Sequence, residues 1–278
     1  MQSVGILGGG FGLYGYLPAF YNLGFKIYTL EKYSNFIQSR ADLKDLINHI
    51  NFLPSEKEIF ANSRYLTIAR DPISQHNLIR DVVEYNFEHL FLEKPLAHNL
   101  KLHEDSLNLL KVTNQSTSIF YSLTYLDWYK EITNILQVKK NQNIKVTWKI
   151  IRNNSIWKND VSKGGGLFRY YGIHFVPLFL KSKLKVENYF QNNRSLVINL
   201  KNKNKNKLQM NFFVGEINNF SIKNENHVLL SSSNPFIKDI VPGAPDPRIQ
   251  IVEKYLLNFD KDFFNTELKI INYIKNEL

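Results

Sequence analysis

The segment 164–174 reads GGGLFRYYGIH and ends on a histidine. An imidazole titrates near pH 6.5, so His174 suits the transfer of a proton to or from a substrate oxygen. No Asp or Glu accompanies it within the segment. If 167–180 is one α-helix, Tyr170 and His174 stand at i and i+4 and share a face. Both can then reach one oxygen, with Tyr170 donating a hydrogen bond or the proton. A second candidate lies at 93–95, Glu-Lys-Pro. The proline holds Lys94 extended, and an X-Pro bond is open to the cis form. A lysine held beside a positively charged ring has its pKa lowered and can take part in proton transfer. Lys94, His174 and Tyr170 are the expected catalytic residues. The competing readings are a packed core histidine and an exposed lysine at a strand end.

A third group is VGILGGGFG at 4–12. Gly8, Gly10 and Gly12 directly follow an apolar run and precede a helical stretch. Such a turn lets the backbone approach a pyrophosphate, and the helix start offers its N–H groups. The spacing is G-x-G-x-G rather than the stricter G-x-G-x-x-G. Glu31 lies 23 residues after Gly8, where an acid accepts the 2′-hydroxyl of NAD; Lys32 beside it suits the 2′-phosphate of NADP. The expected cofactor contacts are Gly8, Gly10, Phe11, Gly12, Glu31, Lys32, Ala69, Glu93 and Lys94, with NAD or NADP as the ligand. No metal site is expected, and His98 and His103 read as surface residues.

These groups need elements to hold them. Short apolar runs at 4–7, 25–30, 65–69, 89–92 and 119–123 alternate with helical periodicity, as in Leu78, Ile79, Val82 and Val83. Asn99 is placed to cap a helix that turns Leu102, Leu107 and Leu110 inward. Repeated β-α-β units imply a parallel sheet covered on both faces, with ligands at the carboxyl ends of its strands. Beyond about residue 120 the pattern changes. A helix at 129–136 leads to short strands at 144–151, 196–200, 208–214, 220–222 and 228–231, which suggest an antiparallel sheet. Asp246 and Pro247 read as an N-cap and first-turn pair for a helix through 259, and a last helix begins near 266. The expected domains are 1–120, binding a dinucleotide, and 121–278, binding substrate.

The composition narrows the function classes. The chain of 278 residues has no cysteine, which excludes disulfides and thiolate metal sites. No run of about 18 apolar residues suggests a membrane span, and the start lacks signal-peptide character; a cytoplasmic protein is expected. The net charge of +10 invites a nucleic-acid partner, but no binding motif accompanies it. Lys201, Lys203, Lys205 and Lys207 alternate with Asn, as in a solvated hairpin. A positive surface favours anionic small molecules instead.

The motifs together bring a family into view. GGGFG with LPAF (8–20), EKPLAHN (93–99), YLDWYKEI (125–132) and GGGLFRYYGIH resemble, in order and separation, the hallmark segments of the glucose-fructose oxidoreductase / inositol dehydrogenase (Gfo/Idh/MocA) family. The resemblance implies an α/β fold: an N-terminal Rossmann domain plus a C-terminal α/β domain with an open, mostly antiparallel sheet. It implies a nicotinamide cofactor, a sugar or nucleotide-sugar substrate, and a homo-oligomer formed through that sheet. The family's lysine near nicotinamide and substrate falls on Lys94, and its histidine on His174. Tyr170 stands where most members have Asp, Pro177 where another Asp is usual, Thr124 where Arg is frequent, and Arg70 and Asp71 near a usual Thr-Pro. The expected activity is hydride transfer to or from a sugar ketone or hydroxyl. The alternatives are a cofactor-binding regulator or assembly protein without catalysis, and an NAD-assisted hydrolase or lyase.

Overall fold

The computed structural model describes the chain apart from residues 1, 114, 152–155, 239–240, 242 and 260–261, and gives the backbone alone at 156. It forms two compact units, Met1–Ser122 with Ile240–Phe264, and Leu123–Asp239 with Asn265–Leu278. The stretch 240–264, which the sequence pattern groups with the second domain, is therefore part of the first unit.

The first unit is built on a six-stranded sheet in the order β3-β2-β1-β4-β5-β6. The strands are β1 (Ser3–Leu7), β2 (Lys26–Leu30), β3 (Ile50–Leu53), β4 (Tyr65–Ile68), β5 (His89–Glu93) and β6 (Thr117–Phe120). Every pairing is parallel. Such a sheet is covered on both faces, so its inner strands are buried along most of their length rather than at alternate positions. Accordingly β1 is buried at all five positions. The helices between strands are α1 (Leu17–Asn22), α2 (Ser34–Ser39), α3 (Glu56–Asn62), α4 (Pro72–Val82) and α5 (Leu100–Val112). Polar side chains start three of them by accepting orphan N–H groups. Ser55 accepts from Glu58, Asp71 from Ile73 and Ser74, and Asn99 from Leu102 at 2.9 Å.

The second unit carries α6 (Asp127–Val138), α7 (Ile156–Asn159) and α8 (Val176–Lys181). Its sheet runs β12-β11-β7-β10-β9-β8, with β7 (Asn143–Ile150), β8 (Lys185–Gln191), β9 (Ser195–Lys201), β10 (Lys207–Val214), β11 (Asn219–Asn224) and β12 (His227–Ser232). The β7–β10 pair is parallel and the others are antiparallel. Strand β7 buries alternate residues, the signature of a sheet with one covered face. The lysine-asparagine run is the β9–β10 hairpin, where Asn202 Oδ1 accepts from the amides of Asn204 and Asn206 at 3.0 and 3.1 Å. Two helices follow: α9 (Ile249–Leu257) in the first unit and α10 (Phe263–Glu277), which belongs to the second from Asn265 on.

Four local expectations change. Strands β3 and β8 have no counterpart in the sequence reading; β8 is largely exposed, so it lacks apolar alternation. Asp246 does not cap α9: the helix starts at Ile249, and Asp246 instead accepts from Arg248. His103 is 1% exposed, because it lies with Ser106, Leu107 and Leu110 on the inward stripe of α5. Finally, 167–181 is not one α-helix. It is a π-turn (Leu167–Tyr171), a 3-10 turn (Gly172–Phe175) and then α8. Pro177 has no amide hydrogen and its ring crowds the carbonyl four residues back, so a regular helix restarts only around it. The i, i+4 face shared by Tyr170 and His174 in an ideal helix therefore does not carry over.

Candidate active-site elements

The glycine loop follows β1 directly. Gly8 has φ +154°, and a Cβ there would stand 2.2 Å from the carbonyl oxygen of Ala69. Only glycine permits this approach of the β1 and β4 ends. Ala69 closes it by donating its amide to the Leu7 carbonyl at 2.8 Å. At Gly10 a Cβ would meet nothing within 4 Å, so the backbone there is open to a ligand. Leu13 donates to the Gly10 carbonyl at 2.9 Å, and a π-turn (Gly12–Tyr16) runs on into α1. The loop and helix start thus have the form that binds a pyrophosphate. The Phe11 ring covers Gly15, stacks with Phe120 and carries the Arg248 guanidinium 4.5 Å above its centre. Arg248 is held in a fork by Asp246, at 2.8 and 2.6 Å.

At the end of β2, Glu31 and Lys32 are both exposed. The next residue, Tyr33, brings this end to the glycine loop, since a Cβ on Gly9 would lie 3.0 Å from its ring. The Lys32 ammonium sits 5.4 Å from the Tyr33 ring centre. Arg70, at the end of β4, forms an ion pair with Glu56 and a hydrogen bond to Tyr33. Burial raises the Tyr33 pKa, and Arg70 opposes the rise.

Lys94 follows β5 and is buried, 9% exposed; its bond to Pro95 is cis. Gln75, fully buried in α4, grips the backbone around it. Its carboxamide donates to the carbonyls of Glu93 and Pro95 at 2.5 and 3.1 Å and accepts from the Glu93 amide at 3.2 Å. The Glu93 carboxylate accepts from the Tyr16 hydroxyl at 3.0 Å. Desolvation pushes its pKa up to about 7, against the pull of Lys94, the Tyr16 hydrogen bond and Arg248. The first unit therefore brings together Gly8, Gly10, Phe11, Gly12 and Ala69, with Phe11, Tyr16 and Arg248 linking the loop to Glu93 and Lys94.

In the second unit His174 is 9% exposed, and its carbonyl accepts from the Tyr129 hydroxyl at 3.4 Å. Burial raises the Tyr129 pKa. Gly172 has no room for a Cβ, which would come within 2.9 Å of the Phe168 ring and 3.4 Å of Leu196 on β9. This lets the segment lie close on the sheet. Tyr170 is half-buried and packs edge-on to Trp157 and Tyr171, with ring centres 5.5 and 4.6 Å away.

No protein-family model and no curated protein sequence matches the chain. Solved structures do. The WlbA (WbpB) dehydrogenase from Thermus thermophilus, in complex with NAD and UDP-GlcNAcA, superposes with a TM-score of 0.72 at 15% identity, over 98% of this chain and 93% of that one. The WlbA dehydrogenase from Bordetella pertussis, in complex with NADH and UDP-GlcNAcA, gives 0.71 at 12% identity, over 98% and 94%. KijD10, a 3-ketoreductase from Actinomadura kijaniata in complex with NADP and TDP-benzene, gives 0.66 at 11% identity, over 97% and 94%. The chain has the Gfo/Idh/MocA fold.

Within that fold, three residues outside the sequence-based set have clear structural parts. Gln75 fixes the backbone of Lys94, Tyr16 binds Glu93, and Arg248 covers Phe11. The Gly-aromatic spacing around Tyr16 was a readable sign of close packing. Gln75 and Arg248 are distant in sequence from the groups they touch, and nothing local marks them.

Proposed function

We propose that the protein is an NAD(P)-dependent oxidoreductase that transfers hydride to or from a ketone or hydroxyl of a sugar or nucleotide-sugar. The observation that carries this reading is the glycine loop: Gly8 packed on Ala69, Gly10 open, and a helix start beyond them, at the carboxyl end of a parallel sheet. The solved structures of like fold, with NAD, NADH or NADP bound and two of them with UDP-GlcNAcA, support the same ligand classes. Gly8, Gly10, Phe11 and Gly12 hold the pyrophosphate side, Glu31 and Lys32 the adenosine ribose, and Ala69, Glu93 and Lys94 the remainder. The nicotinamide, when bound, supplies or accepts the hydride. Lys94 and His174 hold and move the proton on the substrate oxygen, and Tyr170 contacts the substrate.

Among the described residues no helix is long and apolar enough to cross a membrane. In this reading copies associate through the face of the β7–β12 sheet on which β7 presents its alternate, less buried residues, and solution mass measurement tests that association.

The function is tested by a thermal-shift panel of NAD, NADP and their reduced forms, followed by turnover assays with nucleotide-sugars. A shift with a dinucleotide, and turnover lost in Lys94→Ala and His174→Ala, is expected. No shift with any dinucleotide overturns the reading. Binding without turnover of any sugar would favour a regulatory or assembly role.

A further inference from the structure

At one end of the second sheet β7, β8 and β10 begin and β9 ends, since Lys207 stands opposite both Asn143 and Lys201, and Lys201 opposite Lys185. The segments that meet there are 139–141, 181–185 and 201–207. Together they carry nine lysines and no acid, arginine or aromatic residue. Asparagine side chains lock them to one another. Asn206, fully buried, donates to the carbonyls of Leu136 and Lys139, both at 2.8 Å, and accepts from the Gln142 amide at 2.9 Å. Asn202 donates to the carbonyls of Leu136 and Ser182, both at 3.1 Å. These carbonyls lie at the ends of α6 and α8, where the helix itself supplies no partner. Side-chain amides therefore close the helix ends, and the lysine ammonium groups are not needed for it.

The lysines stand outward on this locked base. Lys139, Lys140, Lys183, Lys203 and Lys205 are exposed, and among the described residues none of them forms an ion pair. Two of them hold a conformation that lysine rarely adopts, with φ +51° at Lys183 and +59° at Lys205. Gly or Asn enters this left-handed region at lower cost. Among the described residues five other than glycine have positive φ, and four of them, Asn141, Lys183, Lys205 and Glu225, lie at this end. Strain is thus concentrated where the charge is. Backbone strain and unpaired like charges both work against folding, and their coincidence marks a surface kept for a partner. Val138, the last residue of α6 and the neighbour of Lys139, is 72% exposed.

We propose that this end of the second unit docks on an anionic lipid bilayer, with Lys139, Lys140, Lys183, Lys203 and Lys205 against the headgroups and Val138 entering the interface. A lipid surface asks only for positive charge spread over one side of the protein, and each lysine near it adds to the attraction. An apolar residue beside such charge is the pattern of interfacial binding. Nucleic-acid recognition would draw on arginine forks or stacked rings, and the three segments have neither. The proposal does not depend on the oxidoreductase reading.

The test is co-sedimentation of the full chain with vesicles of phosphatidylcholine alone and with about 30% phosphatidylglycerol added. A short DNA duplex is titrated separately by fluorescence anisotropy. The wild type should sediment with the anionic vesicles only, and should be released as salt is raised. Asparagine suits left-handed backbone, so Lys183→Asn and Lys205→Asn should each melt no lower than the wild type while weakening vesicle binding about fivefold. Val138→Ser should weaken binding to the vesicles and leave any binding to the duplex unchanged. Equal sedimentation with the neutral vesicles, no sedimentation with either kind, or unchanged binding in both asparagine variants overturns the proposal. So does tighter binding to the duplex than to the anionic vesicles, which would make this a nucleic-acid surface. Dinucleotide binding should be the same in all three variants, so failure here is distinct from failure of the oxidoreductase reading.

Discussion

Gln75 and Glu93 exchange a pair of hydrogen bonds: the Gln75 carboxamide donates to the Glu93 carbonyl at 2.5 Å and accepts from the Glu93 amide at 3.2 Å. A third bond, to the Pro95 carbonyl, completes a grip on both sides of Lys94. Replacing Gln75 by Leu leaves a buried amide and two carbonyls without partners, which costs about 1–3 kcal/mol for a group of this kind. Gln75→Leu is therefore expected to lower the unfolding free energy by about 2 kcal/mol in urea denaturation. It should also reduce turnover through a misplaced Lys94. Full activity in a stable Gln75→Leu protein would show that Lys94 needs no such positioning.

Glu93 carries a pH dependence of its own. Its carboxyl is raised to about 7 in the fold, chiefly by desolvation, above the ordinary glutamate value near 4.3. Between those two values the folded state holds a proton that the unfolded state has lost. The group thus favours folding at low pH, and that contribution disappears as pH rises through 7. Melting temperature measured against pH should fall less steeply over this range in Glu93→Gln than in the wild type. Tyr16→Phe removes a hydrogen bond that stabilises the ionised form, so it should move the Glu93 ionisation upward.

Much of the fold is legible in the sequence because it depends on local signals. The buried parallel strands are apolar runs, and the Asn99 cap sits at the residue that the polar-then-apolar pattern marks. The Glu-Lys-Pro and glycine segments are likewise contiguous, so they can be picked out without a structure. What escaped is long-range. Arg248 lies 237 positions along the chain from Phe11 (248 − 11), yet the two are in contact. Asp246 looked like a helix cap because Asp-Pro commonly is one, whereas the guanidinium two residues on captures its carboxylate. The helical segment after the glycine triplet has apolar periodicity, but Pro177 and Gly172 break its regularity, and spacing alone cannot show where π and 3-10 turns replace α.

The loop glycines should separate fold from binding. In Gly8→Ala the new Cβ meets the Ala69 carbonyl oxygen, backbone that cannot swing aside. A loss of about 2–4 kcal/mol in unfolding free energy is expected, with dinucleotide binding lost too. Gly10→Ala meets no neighbour, so its melting temperature should stay near that of the wild type while dinucleotide affinity falls. Calorimetric binding and thermal melts on the two variants check this; unchanged affinity in Gly10→Ala would remove Gly10 from the cofactor loop.

His89 predicts an acid-sensitive fold. It is 2% exposed, packed against the rings of Phe91 and Phe259. Its two ring nitrogens engage the hydroxyls of Ser116 and Ser118, each at 2.8 Å, and Ser118 continues to Tyr255 of α9 at 2.6 Å. Desolvation lowers its pKa to about 4. The unfolded chain takes up the proton near pH 6.5 and the fold only near 4, so the neutral-His contribution is complete above 6.5 and is lost as pH falls between those values. The full loss is on the order of 3 kcal/mol. Glu93 acts in the opposite sense over much of this range, so the comparison must be with a variant rather than with the raw curve. Gln at 89 can bond both serines and does not titrate. Urea midpoints measured from pH 7 to pH 4 should therefore decline less in His89→Gln than in the wild type; parallel declines would mean that His89 is protonated in the fold.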